Sequence, residues 1–439
     1  MCINKTEIKI MNRHYIKVRA HLFFLGMAGL ISISGCASFG KGIAEAVLEK
    51  SNEQDTRVCQ VKGKAFDGIE PGLSNSASKT KVLMVHGVGD RLPGYATEFF
   101  EKLGGELKVT AKQSAYRDIK LSSPLAPEKD MGNLRITRLQ NEDGSKELLF
   151  YELTWSEITR REKALLDFDN SGEYSFRRAE VNDMMKKFSN DTGPDPIIYL
   201  GESRKFILMA FSQAFCWMGL GGWEDLPKSG KHTCTSDKSY EKSMNDNFVF
   251  ISHSLGSRIT IDGLQRLVSM LDEPEVHSNG VYKIKAIDRV KSFLHDRHIQ
   301  IFMLSNQLPM LQLGRELPKV TDQHASYCEA TGDKYDLKAV KETSIIAFSD
   351  PNDLLSYAIP YGFVDTYLDS RLCVNVTNVN INVAKVIDAF GFGKVANPLE
   401  AHVGYTKDDR VVALIAKGIG NHHTSPIVKD GCQWTEIAD

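Results

Sequence analysis

Short apolar runs closed by glycine, proline or small polar residues recur along the chain from Lys81 onward, with stretches of helical spacing between several of them. Val82 to Val85 is a continuous apolar run ending at His86 and Gly87, the pattern of a strand buried on both faces. Phe248 to Ile251 is broken by Ser252, His253, Ser254, Leu255 and Gly256, and apolar residues then resume at helical spacing. Ile299 to Leu304, Ser344 to Phe348 and Val374 to Ile381 read as further strands, and Leu134 to Trp155 as a hairpin around an Asp143-Gly144 turn. Strand, helix and crossover repeated in one direction predict an α/β fold: a mostly parallel central sheet with helices on both faces. In such a sheet functional groups collect at the carboxyl ends of the strands. The main domain is expected over 81–439, after a polar tether and entry segment at 36–80, and no internal repeat is evident.

An insertion of the main domain runs from Ser156 to Asp246 and is expected to form a helical cap over the carboxyl edge. Its most apolar part, Phe206 to Trp223, admits three readings: a buried helix of that cap, a mobile lid that meets lipid, or a transmembrane helix. The first is preferred, because Gly219, Gly221 and Gly222 crowd the end of the segment and spoil a membrane span.

The N-terminus reads as an address. Lys5, Lys9, Arg13, Lys17 and Arg19 precede the apolar stretch LFFLGMAGLISI, which is short for a bilayer span and ends in small residues, as a secretory signal does. Ile33, Ser34, Gly35 and Cys36 resemble a bacterial lipobox, which implies a signal at 1–35 and a lipid-modified Cys36. Ala37 in place of aspartate resembles the outer-membrane sorting pattern. The expected location is the bacterial cell envelope, with a membrane contact through palmitate-type chains on Cys36. Met11 is a second candidate start, and a chance cysteine is the plain alternative.

Composition and charge remove other classes. The chain has 439 residues, 42% hydrophobic and 25% charged, enough for a large core. The formal charge is -2, and loss of residues 1–35 takes five basic and one acidic residue with it, leaving 49 against 55 and a mildly acidic surface. Beyond the N-terminus no basic run is interleaved with aromatics, so a nucleic-acid partner is not expected. Cys59, Cys216, Cys234, Cys328, Cys373 and Cys432 form an even set for disulfides in an oxidising compartment, Cys216 with Cys234 being the preferred local pair. No C-x-x-C or C-x-x-H spacing suggests zinc, and neither a metal nor a cofactor is expected.

The chemistry centres on Ser254. Between a strand and a helix, a serine with small neighbours is a candidate nucleophile elbow, although Ser252 stands where G-x-S-x-G has its first glycine and a helix N-cap is the plain alternative. His86-Gly87, Ser254 with Gly256, Asp353 and His402 follow the proposed strands in that order, a set that resembles the esterase and lipase branches of the α/β-hydrolase superfamily. The resemblance implies a Ser254–His402–Asp353 triad cleaving carboxylic esters, lipid or other acyl esters among them, through an acyl-enzyme. It also implies an oxyanion hole from the Val88 and Leu255 backbone N–H groups, with His86 structural. Asp350 is the alternative acid; the aspartate not used is expected to be a turn former. His253 is expected to point away from the nucleophile, and His422 and His423 to be solvated. An acyltransferase or amidase on the same triad, or a non-catalytic envelope binding protein with this fold, remain alternatives.

Overall fold

The computed structural model describes residues 58–74, 78–123, 126–170, 179–235, 240–270, 290–388 and 394–437. The signal, Met11 and Cys36 lie outside them. Eleven strands form one sheet: β1 Cys59–Lys62, β2 Thr80–Val85, β3 Thr110–Leu121, β4 Asn133–Gln140, β5 Glu147–Thr154, β6 Ser229–His232, β7 Asn247–His253, β8 His298–Leu304, β9 Glu342–Ser349, β10 Val374–Ile381 and β11 Gln433–Thr435, in the spatial order β11-β1-β10-β9-β8-β7-β2-β5-β4-β3-β6. Every neighbouring pair from β10 to β5 is parallel. Antiparallel pairing enters where β4 joins β5 and β3, and where β1 joins β10. The fold is thus α/β with a mixed, mostly parallel sheet, and the Asp143-Gly144 hairpin is β4 and β5, with Gly144 at a left-handed φ of 73°.

Alternation within the apolar runs splits the core into two layers. On β2, Leu83 and Val85 face one layer while Val82 and Met84 face the other, and Phe250 opposes Val249 and Ile251 on β7 in the same way. Helix α1 (Thr97–Leu107) covers the second layer, with a C-terminal helix at Asp409–Lys417. The first layer is covered from within the insertion, after α2 (Glu157–Lys163), α3 (Glu180–Thr192) and α4 (Pro194–Leu200), by α5 (Arg204–Gly219), together with α6 (Leu255–Met270).

Two expectations about organisation change. The entry segment is not wholly a tether: Cys59–Lys62 is a strand of the sheet, paired with β10 and bonded through Cys59 to Cys432 across 373 residues of sequence. The cap does not include Phe206 to Trp223. Helix α5 is apolar around most of its circumference, and such a helix is stable only when enclosed. It packs on α6 and on β2, β3 and β5, and its Phe211 ring lies where a Cβ on Gly263 would come within 2.2 Å. A lid that meets lipid is excluded for this helix by its burial in the core. No helix among the described residues is long and apolar enough to cross a membrane. The expected pair Cys216–Cys234 is bonded and closes the end of α5, and Cys328 is bonded to Cys373.

Phe211→Ala should therefore cost about 3–5 kcal/mol of folding free energy, read from denaturant unfolding, whereas the exposed Leu165→Ala should change it by less than about 0.5 kcal/mol. Equal effects would contradict the placement of α5.

Candidate active site

The carboxyl ends of β2, β7, β8 and β9 meet at one edge of the sheet. Ser254 is the single residue between β7 and α6, and its φ of +55° is left-handed, a conformation that costs a residue with a Cβ about 1–3 kcal/mol. Its N–H donates to the Leu304 carbonyl at 3.0 Å, which fixes the turn to the end of β8. The turn also brings α6 close beneath β2. A Cβ on Gly256 would lie 2.3 Å from the Val85 carbonyl oxygen, and one on Gly87 would lie 2.7 Å from the Ser254 Cβ. Glycine is required at both places. Ser252 occupies a fully buried site with its Oγ 3.4 Å from Ser257 Oγ, so a small side chain is accommodated there.

Asp353 and His402 come together beside this turn. The loop after β9 carries Asp353, and a short helix α7 (Pro398–Val403), capped by the Asn397 side chain, carries His402. His402 Nδ1 lies 3.0 and 3.1 Å from the two Asp353 oxygens. Ser305, just beyond β8, is fully buried and left-handed at φ 50°; its hydroxyl donates to Asp353 Oδ2 at 2.7 Å and lies 2.9 Å from His402 Nδ1. One proton arrangement satisfies this network: Nδ1–H is shared by the carboxylate and Ser305 Oγ, which leaves Nε2 as the basic nitrogen. Burial pushes the Asp353 carboxyl up, but the hydrogen bonds and charge of His402, the Ser305 hydroxyl and the Leu355 N–H outweigh it and hold the group below the usual aspartate value.

Asp350 has a different task. Its Oδ1 accepts from the Asn352 N–H at 2.7 Å, and its Oδ2 from the Val383 and Ala384 N–H groups at 2.7 and 3.2 Å. It shapes the turn and ties the acid loop to the segment that follows β10. His253 reaches further than expected: its Nε2–H donates to the His402 carbonyl at 2.8 Å, bracing the backbone of the proposed base. His86 stacks on Trp155 with ring centroids 4.8 Å apart, accepts from the Trp155 N–H and donates to the Gly87 carbonyl. Burial pushes both His86 and His253 down to about 3, so both are neutral. His422 is exposed, and His423 lies 3.7 Å from Glu70.

The loop after His86 is held by the insertion. Gly89 N–H donates to Asp195 Oδ2 at 2.7 Å, Asp90 N–H to Asp191 Oδ1 at 3.1 Å, and Arg91 N–H to Ser156 Oγ at 3.1 Å. Lys163 lies 3.0 Å from Asp195 and balances its buried charge. Val88 N–H is not among the groups used, and Leu255 N–H opens α6, where helix geometry provides no acceptor. Among the described residues neither N–H is engaged with another group. Its Oγ makes no hydrogen bond in this arrangement, and Ser254 is 1% exposed while the His402 side chain is 13% exposed. Apo catalytic hydrogen bonds often close only when substrate binds.

Ser305, Asp195 and Lys163 were not legible as site residues: each is a common residue type outside any motif, and only the strand order brings it in. Among the described residues no three His, Cys, Asp or Glu side chains are grouped to hold a metal ion. Comparison with protein-family models, curated proteins and solved structures returned no match.

The buried neutral histidines set a pH dependence. Unfolded histidine takes up a proton near pH 6.5, whereas His86 and His253 in the fold resist it down to about 3, so their stabilising effect is complete above 6.5 and is lost as pH falls through this window. Stability should thus decline from pH 6.5 toward 4. His253→Gln, which keeps an N–H for the His402 carbonyl, should reduce that slope by about one proton, or about 1.4 kcal/mol per pH unit, in denaturant titrations. An unchanged slope would show that His253 is not the buried neutral group described.

Proposed function

We propose that this chain is a serine hydrolase of carboxylic esters with an α/β-hydrolase-like architecture, Ser254 being the nucleophile. The observation that carries the reading is the left-handed Ser254 between a parallel strand and a helix, at the same sheet edge as a hydrogen-bonded Asp353–His402 pair. The chain order Ser254, Asp353, His402 supports it as well. In the mechanism, His402 Nε2 takes the Ser254 proton as Oγ attacks the ester carbonyl. Asp353 holds the ring and stabilises its charged form, and Ser305 holds both. The Val88 and Leu255 N–H groups stabilise the oxyanion. His402 then protonates the departing alcohol, and water, activated by the same nitrogen, releases the acid from the acyl-enzyme. The substrate class is carboxylic esters in general, since most of the aromatic segment Phe206 to Trp223 is taken up in core packing. We place the protein at the cell envelope, held through lipid on Cys36.

Ser254→Ala and His402→Ala should each lower ester hydrolysis on the order of 10³- to 10⁶-fold, with the double variant little worse, and Ser254→Ala should abolish labelling by a fluorophosphonate probe. Asp353→Asn should cost far more than Asp350→Asn relative to their folded fractions. Ser305→Ala should lower kcat by about tenfold or more with little change in KM. Near-normal activity without Ser254 would remove the mechanism.

Cells expressing the full chain should incorporate labelled palmitate, and Cys36→Ala should abolish both the label and membrane retention, since several acyl chains on one cysteine hold firmly where one does not. Labelling that survives the substitution would refute the anchor.

A further inference from the structure

One turn along α6 from Ser254, a second polar cluster is built into the first core layer. Asp262 is fully buried and takes three side-chain donors on Oδ2: Tyr199 Oη at 2.7 Å, Arg204 at 3.0 Å and Arg315 at 2.6 Å. Arg258 lies 2.7 Å from Oδ1 and also donates to Gln312 Oε1 at 2.6 Å. The Tyr199 ring lies 5.8 Å from both the Arg204 and the Arg315 guanidinium. Among the described residues no other carboxylate is ion-paired with any of these arginines, so three guanidinium charges face one negative charge.

Structural ion clusters usually balance, because an excess of buried charge is costly. This one does not, and among the described residues the buried atoms it leaves without a hydrogen-bond partner are three side-chain nitrogens and Asp262 Oδ1, the oxygen that Arg258 meets as an ion pair. Arg258 Nε, Gln312 Nε2 and Arg204 Nε are buried nitrogens without an acceptor, and Arg258 and Gln312 are almost completely enclosed. Unpaired N–H donors beside surplus positive charge call for an acceptor that is itself negative. Burial and the charges of Arg258 and Arg204 also press the Arg315 guanidinium below its usual range, against the pull of Asp262. The cluster is not sealed: the Arg204 side chain is 41% exposed and gives it a solvent-facing side.

We propose that Arg204, Arg258, Arg315 and Gln312 form an oxyanion-binding site for a phosphate or carboxylate group. Arg258 is four residues and Asp262 eight residues beyond Ser254, so the site lies about 6–12 Å along the helix from the nucleophile. That spacing suits an ester carrying a fixed negative charge a few bonds from the scissile carbonyl. This second clause rests on the hydrolase reading; the anion site itself does not.

The test separates the two. Inorganic phosphate titrated at constant ionic strength into the Ser254→Ala protein should raise the thermal midpoint saturably, and chloride should not. Arg204→Gln, at a half-exposed position that the fold tolerates, should weaken phosphate binding at least tenfold, and Arg204→Lys should recover it in part. No saturable shift, or an equal shift in Arg204→Gln, would overturn the site. In the Ser254-containing protein, esters bearing a free carboxylate or phosphate should exceed their methylated neutral counterparts in kcat/KM at least tenfold, and Arg204→Gln should collapse that ratio. Phosphate binding with equal kcat/KM for charged and neutral esters would refute the substrate assignment and leave the anion site. Phosphate binding in a protein that hydrolyses no ester would refute the hydrolase reading alone.

Discussion

The passage from β7 into α6 through one left-handed residue is the constraint on which the candidate site depends. Ser254 holds an unfavourable φ because its N–H is fixed to the end of β8 and the following helix is pressed against β2. That pressure is transmitted by two core layers, one on each face of the parallel strands. Glycine at 87 and 256 removes the side chains that would separate the helix from the strand. The outcome is a buried serine set at the N-terminus of a helix, which is where negative charge is best tolerated.

Around this turn the polar groups are fixed mostly through backbone. His253 braces the His402 carbonyl, Asp350 gathers the N–H groups of Val383 and Ala384, and the Asp350 N–H donates to Tyr405 Oη at 2.7 Å. Long connections after β9 and β10 are thereby held at one distance from each other. Burial keeps His86 and His253 uncharged, so the carboxylate of Asp353 is the formal charge that the His402 ring meets.

The insertion divides its work between the two ends of this site. Helices α2 to α4 clamp the loop after β2 through Asp195, Asp191 and Lys163, while α5 enters the core and presents Arg204 at its first turn to Asp262. Disulfides reinforce the margins: Cys216–Cys234 closes the far end of α5, and Cys59–Cys432 joins β1, the neighbour of the edge strand, to the chain just before β11. The parallel centre carries the site, and the antiparallel additions lie outside it.

Local pattern alone determined a good deal here. Continuous apolar runs of β2, β7, β8 and β9 announce strands covered on both faces, because only such strands lack a polar side. The break at Ser254, with Gly256 two residues on, announces a tight strand-to-helix turn, and the resemblance to esterases and lipases picks out Asp353 and His402 as candidate partners, with Asp350 as the alternative acid. Tertiary structure decided what has no local signature. Phe206 to Trp223 reads the same as cap, lid or core, since an all-apolar helix specifies that it is buried but not beneath what. Ser305 is an unremarked serine until β8 is placed beside β7, and Cys59 pairs with Cys432 because β11, from the far end of the chain, takes the edge of the sheet beside β1. Arg204, Arg258 and Arg315 lie on separate helices and a loop, so their excess of charge exists only after packing brings all three to one aspartate.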